Sequence, residues 1–82
     1  MKLESIQVEQ ISKDIFRIIT SKGQYLQICY KLVAFINNKG KMFVDKNYLS
    51  LSTNRINYIA RFFSLSRREL YLSYKNGSIE TI

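Results

Sequence analysis

Side chains able to make or break covalent bonds are scarce in this chain. It has no histidine, and so lacks the commonest general base and the commonest metal ligand. Its six carboxylates stand singly, Cys29 has no activating partner near it in sequence, and no glycine-rich run could cradle a phosphate. These features argue against an enzyme, and no metal, cofactor or small-molecule substrate is expected. What the chain offers instead is charge. Thirteen Lys and Arg oppose six Asp and Glu, a formal net charge of +7. Excess positive charge on so small a domain favours polyanions and speeds their capture. The expected partner is a nucleic acid, duplex DNA before any other.

The cations are scattered from Lys13 and Arg17 through Lys46 and Arg55 to Arg67, Arg68 and Lys75. They form no basic tail, so any binding surface has to be assembled by folding. Eighty-two residues make a single domain over 1–82, and the 46% of apolar residues suffice for a thin core. A lone cysteine excludes an internal disulfide and suits a reducing compartment. No apolar run approaches the ~20 residues of a membrane span, and MKLESIQVEQ lacks a signal-peptide core. A cytoplasmic protein is expected. Cys29, between Ile28 and Tyr30, reads as a buried structural thiol.

The elements that must position these charges read as mainly β. Ile6, Val8 and Ile11 suggest an opening strand. Residues 14–28 suggest a hairpin, with arms rich in Ile, Phe and Tyr and with Gly23 supplying a positive φ. Tyr30 to Asn37 suggests a helix of about two turns, capped near Gly40. Met42 to Val44 and Tyr48 to Leu51 read as extended around a polar corner, Asp45-Lys46-Asn47, and Ile56 and Ile59 lead into another strand. In residues 69–82, Leu70, Leu72 and Tyr74 alternate with Glu69, Tyr71 and Ser73 ahead of Asn76-Gly77, which suggests a second hairpin. The expectation is a small, elongated β fold of short antiparallel strands with one short helix.

Residues 56–75 also fit a different pattern. On a helix-turn-helix, or a winged helix containing one, Ile59, Ala60 and Phe63 would face inward, Ser64-Leu65 would turn, and Ser66 would cap a recognition helix over 66–75. Arg67 and Arg68 would then stand where base contacts are made. Ser73 fits poorly, because it falls where that helix should present a core residue. A third reading, from a different class, is a small accessory or inhibitor module whose exposed strands pair with another protein.

The order of expected elements resembles the LytTR family, DNA-binding output domains of bacterial response regulators that also occur as standalone proteins. The likeness runs from about Ser5 to Ile82. Ile6-Gln7-Val8-Glu9 is similar to the family's opening strand, and Ile19 to Gly23 to its hairpin turn. Leu32 to Ile36 resembles its helix, Phe43 and Lys46 to Leu51 its corner, and Leu70 to Gly77 its last hairpin. The customary His-Arg-Ser of the corner is here Lys46-Asn47-Tyr48, the customary Asn is Ser52, and no residue corresponds to the family's base-reading arginine beyond the last hairpin.

The resemblance implies a bacterial or phage transcription regulator whose loops enter successive major grooves. Asn47 would read a base, since its amide presents both a donor and an acceptor to adenine. Lys46 and Tyr48 would flank it, Lys13 and Asp14 would supply a second loop, and Lys75 and Asn76 would contact backbone. Arg55, Arg67 and Arg68 complete the expected DNA-binding set. An asparagine beside Asp45 could equally serve only to make a turn. Homodimerisation on repeated half-sites is left open.

Overall fold

The computed structural model describes residues 6–49 and 53–81. The expected hairpin over 14–28 is present. β2 (Ile15–Thr20) and β3 (Gly23–Ile28) pair antiparallel in unbroken register, Ile15 opposite Ile28 and Thr20 opposite Gly23. Gly23 has φ +141°, and a β-carbon there would collide with the Ile36 carbonyl oxygen. β1 (Gln7–Ser12) is the expected opening strand. It pairs antiparallel with β2 and lies at the sheet edge, largely exposed.

The expected helix over Tyr30–Asn37 is instead a strand, β4 (Lys31–Asn37), antiparallel to β3. Two residues connect them, Cys29 and Tyr30, with φ of 55° and 81°. Paired positive φ values are the mark of the tight I′ hairpin turn, usually built from Asn-Gly, so composition gave no warning of it. Val33, Phe35 and Ile36 suit a pleated surface better than a two-turn helix. A register shift between Leu26 and Gln27 marks a bulge, and both Val33 and Ala34 are fully buried beside it. Cys29, expected to be buried, is exposed, because the turn carries it past the end of the sheet. Gly40 (φ 81°) caps no helix; it turns the chain from β4 into β5 (Met42–Val44).

Beyond β5 the expected corner is a 3-10 turn over Lys46–Tyr48. Tyr48 to Leu51 was expected to be extended. Tyr48 belongs to the 3-10 turn, and Ser50, Leu51 and also Ser52 lie outside the described residues. The expected strands at Ile56–Ile59 and 69–74 are helices, α1 (Thr53–Phe62) and α2 (Arg67–Lys75). Ile56, Ile59, Ala60 and Phe63 recur at i, i+3, i+4 and i+7, the stripe of an amphipathic helix. Asn76-Gly77 ends α2 and starts no hairpin turn: Asn76 is the C-cap and Gly77 follows with φ 83°. β6 (Ile79–Thr81) then pairs in parallel with β5, completing a six-stranded sheet in chain order.

The chain is thus mainly β, with short and mostly antiparallel strands, and extends over 43 × 29 × 18 Å. It carries two α-helices where one was expected. No described helix is long and apolar enough to cross a membrane.

One face of the sheet supplies Ile15, Leu26, Ile28, Ala34, Val44 and Ile79 to the core. Leu49, Ile59, Ala60, Phe62, Phe63 and Leu70 close over them. Leu26, Ile28, Ile59, Leu70 and Ile79 are at most 2% exposed, each removing roughly 1.5–3 kcal/mol of side chain from water. Arg17 shares this face, with its guanidinium 5.7 Å from the centre of the Phe62 ring. Its charge sits partly beneath α1 and contributes little to the outer surface.

The Cys29–Tyr30 turn offers a direct test. The Tyr30 side chain is fully exposed, so Tyr30→Gly removes a left-handed β-carbon penalty and no packing. Stability should rise by about 1 kcal/mol, read as a melting temperature higher by about 4–8 °C. A lower melting temperature would show that the tyrosine is held by interactions beyond its backbone.

Candidate nucleic-acid interface

α1 and α2 are joined through a tightly specified turn. The Leu65 N–H donates to the Ala60 carbonyl (2.8 Å) and the Ser64 N–H to the Arg61 carbonyl (3.0 Å). Ser64 is left-handed, φ 58°. This is the Schellman arrangement for ending a helix, here with serine in the position glycine usually takes. Leu65 then folds back against the core, which sets the path of the chain into α2.

α2 begins with a capping box. The Glu69 N–H donates to the Ser66 hydroxyl (3.1 Å), and the Ser66 N–H donates to the Glu69 carboxylate (3.3 Å). The first turn is therefore closed by its own residues. Glu69 is the single acid of α2, set against Arg67, Arg68 and Lys75 on the same helix.

The rest of α2 sorts by helical spacing. Leu70 and Tyr74, at i and i+4, pack inward. Ser73, expected to break the helical pattern, is only half-buried, and Tyr74 takes the inward position beside it. Arg68, Tyr71, Leu72 and Lys75, at i, i+3, i+4 and i+7, form one exposed face with Arg67 at its start. Tyr71 and Leu72 are 54% and 55% exposed, unusual for large apolar side chains in the middle of a cationic face. Among the described residues, Arg67, Arg68 and Lys75 make no ion pair.

Of the residues expected to bind DNA, the structure brings Arg67, Arg68 and Lys75 onto this helix. Lys46 joins them across a groove that it lines with Leu49, Tyr71 and Tyr74. Asn76 is the C-cap, its side-chain oxygen accepting from the Ser78 N–H (2.9 Å). Arg55 lies half-buried on α1, and Arg61 is exposed near that helix's end. Lys13 and Asp14 make the β1–β2 turn, in a hollow shared with Phe16, Gln27, Cys29 and Tyr30 and with no residue of α2. Sequence reasoning missed Tyr71 and Leu72 as surface readers, because it placed them on a strand. Helical spacing from Arg68 is the signal that finds them.

The corner is built chiefly around Asp45. Its carboxylate accepts from the Asn47 N–H (3.0 Å), the turn-forming role first considered for Asn47 itself, and pairs with the Lys31 ammonium (2.9 Å). The Asp45 N–H donates to the Val33 carbonyl (2.8 Å), tying the corner to β4. Asn47 is exposed on the turn. Tyr48 packs partly against the core, with the Lys31 ammonium 5.6 Å from its ring centre. The hydrogen bond from Lys31, then that from the Asn47 N–H, holds the Asp45 carboxyl below its ordinary range, and Asp45 raises the Lys31 ammonium in return.

Among the described residues, no group of three or more His, Cys, Asp or Glu is placed to hold a metal ion. Comparison of the chain with protein-family models, with curated proteins and with solved structures found no match.

The corner predicts a pH dependence. A carboxyl depressed in the folded state stabilises fully above its unfolded value, near 4, and loses that contribution as pH falls through the lower folded value. Asp45→Asn should flatten this part of the acid-unfolding profile, lowering stability near pH 7 and converging with the wild type at low pH, where both side chains are neutral. Identical acid limbs in the two proteins would show that Asp45 gains nothing from Lys31.

Proposed function

We propose that the chain binds duplex DNA through the outward face of α2, seated in the major groove, and acts as a cytoplasmic regulator of transcription. The observation that carries this reading is the single exposed face of Arg68, Tyr71, Leu72 and Lys75 on a helix capped by Ser66 and braced against α1. A helix-turn-helix presents its second helix in this way. Arg67 and Arg68, at the helix start, have the fork geometry for guanine O6 and N7, and the apolar atoms of Tyr71 and Leu72 suit the thymine methyl. Lys46, Lys75 and Arg61 supply the phosphate contacts that fix register without reading sequence.

This assigns base reading to α2. The LytTR resemblance implied loops in the groove with Asn47 at their centre, and that role depended on residues 56–74 lying in sheet. In the reading proposed here the corner over Lys46–Tyr48 flanks the reader and contacts backbone.

Sequences selected from a random duplex pool test the reading. On the selected site, Arg68→Ala should cost about 1–3 kcal/mol and relax one base position. Lys46→Ala should weaken selected and random duplex alike, and Asn47→Ala should have little effect. With about five phosphate contacts, log K should fall against log salt with a slope near −4.5. Binding that ignores salt, or that survives Arg68→Ala with its sequence preference intact, would overturn the assignment.

A further inference from the structure

The sheet has a second face, and α1 and α2 do not cover it. Register places Phe16, Ile18, Tyr25, Leu32, Phe35 and Phe43 together there. None belongs to the core cluster under the helices. Leu32 is 46% exposed, and Val8, beside Ile18 on the edge strand, is 63% exposed. An antiparallel sheet with one solvated face normally alternates apolar-in with polar-out, whereas this open face carries six large apolar side chains among Gln10, Thr20, Gln27 and Glu80. The open side carries a groove of about 430 Å³ lined by Tyr25, Leu32, Ala34, Phe35, Phe43 and Thr81.

Charge narrows the choice of occupant. In a chain of +7, no described strand position on this face is Lys or Arg. Glu80, opposite Phe43, lies on it and is paired with Lys41 at 2.8 Å, so the two charges cancel. The Lys41 ammonium lies 5.7 Å from the Phe43 ring centre, and Lys13 lines a hollow with Phe16 and Gln27. Each stands beside an acid, Glu80 and Asp14 respectively, so phosphates would meet no net positive charge here. The rings do not suit base stacking either: Tyr25 and Phe35 lie 4.5 Å apart at 20° and Phe35 and Phe43 5.6 Å apart at 22°, so their faces are turned to one another. An acidic protein would seat on the cationic helical side. What fits is a neutral, apolar, nearly flat surface, and this chain carries one.

We propose that this face is the contact between two copies of the chain, packed sheet on sheet across a twofold axis. It is the surface through which two molecules of +7 can meet without apposing like charges. Sheet packing at about 10 Å would let the Phe16, Leu32 and Phe35 side chains of the two copies interdigitate. Because the helices cover the opposite face, α2 stays exposed on both outer sides of the pair. The contact is independent of whether α2 binds DNA.

Sedimentation velocity on the full chain over a wide concentration series, at low and at high salt, tests the proposal. Wild type should dimerise, and more tightly at high salt, because screening removes the residual repulsion between the two basic bodies while the apolar contact persists. Leu32→Lys, at an exposed position that leaves the core intact, should weaken the dimer at least about tenfold, with an unchanged circular dichroism spectrum. Phe35→Lys should do the same from the centre of the face. A wild-type chain that stays monomeric throughout would overturn the proposal and leave the face to a different apolar partner. A dimer that salt dissociates, or that Leu32→Lys leaves intact, would also overturn it.

Discussion

A parallel pairing between β5 and β6 can form only if the chain crosses back over the sheet between them, and that requirement organises the molecule. Five strands run up and down in chain order, each returning through a short turn. The sixth cannot. The stretch between Val44 and Ile79 must span the sheet length, and α1 and α2 are what it becomes. Once they lie across one face, Ile59, Phe63 and Leu70 bury the Leu26–Ala34–Val44 row, and the crossover supplies the core. Without that layer the meander would have water on both faces and no interior.

The same crossover divides the surface electrostatically. The two helices hold Arg55, Arg61, Arg67, Arg68 and Lys75 against the single acid Glu69. The open side of the sheet holds rings and aliphatic chains and one neutralised pair. Scattered in sequence, the cations become concentrated in space because two short helices carry five of them. The field of such a side is strongest where no counter-charge is built in, which is the outward face of α2.

Three residues other than glycine hold left-handed backbone, Cys29, Tyr30 and Ser64, and each sits at a pivot. Cys29 and Tyr30 reverse the chain between β3 and β4, and Ser64 redirects it from α1 into α2. Such conformations cost of order 1–3 kcal/mol and persist where their surroundings over-determine them. At Ser64 the surroundings are the two Schellman hydrogen bonds and the partial burial of Leu65 against the core. At the hairpin they are the strand pairing on either side and the Cys29 N–H bonded to the Asp14 carbonyl (2.9 Å).

By itself the sequence determined the excess of cations, the β2–β3 hairpin with Gly23 at its turn, the opening strand β1, the extended β5 and the polar corner after it. Each is a local matter of residue type or of period-two patterning. It left two glycine signals ambiguous, and both resolved the other way: Gly40, expected to cap a helix, turns a hairpin, while Gly77, expected to turn a hairpin, ends a helix. A positive φ serves either purpose, and the choice rests on what the flanking segments pack against. Residues 69–74 satisfy a strand's alternation and a helix's spacing at once. The stripe of Ile56, Ile59, Ala60 and Phe63 was visible in sequence, but only the tertiary fold decided for helix. The core needed a covering layer, and a helix pair presents Ile59, Phe63 and Leu70 to one sheet face together, whereas strands would have turned alternate residues away from it.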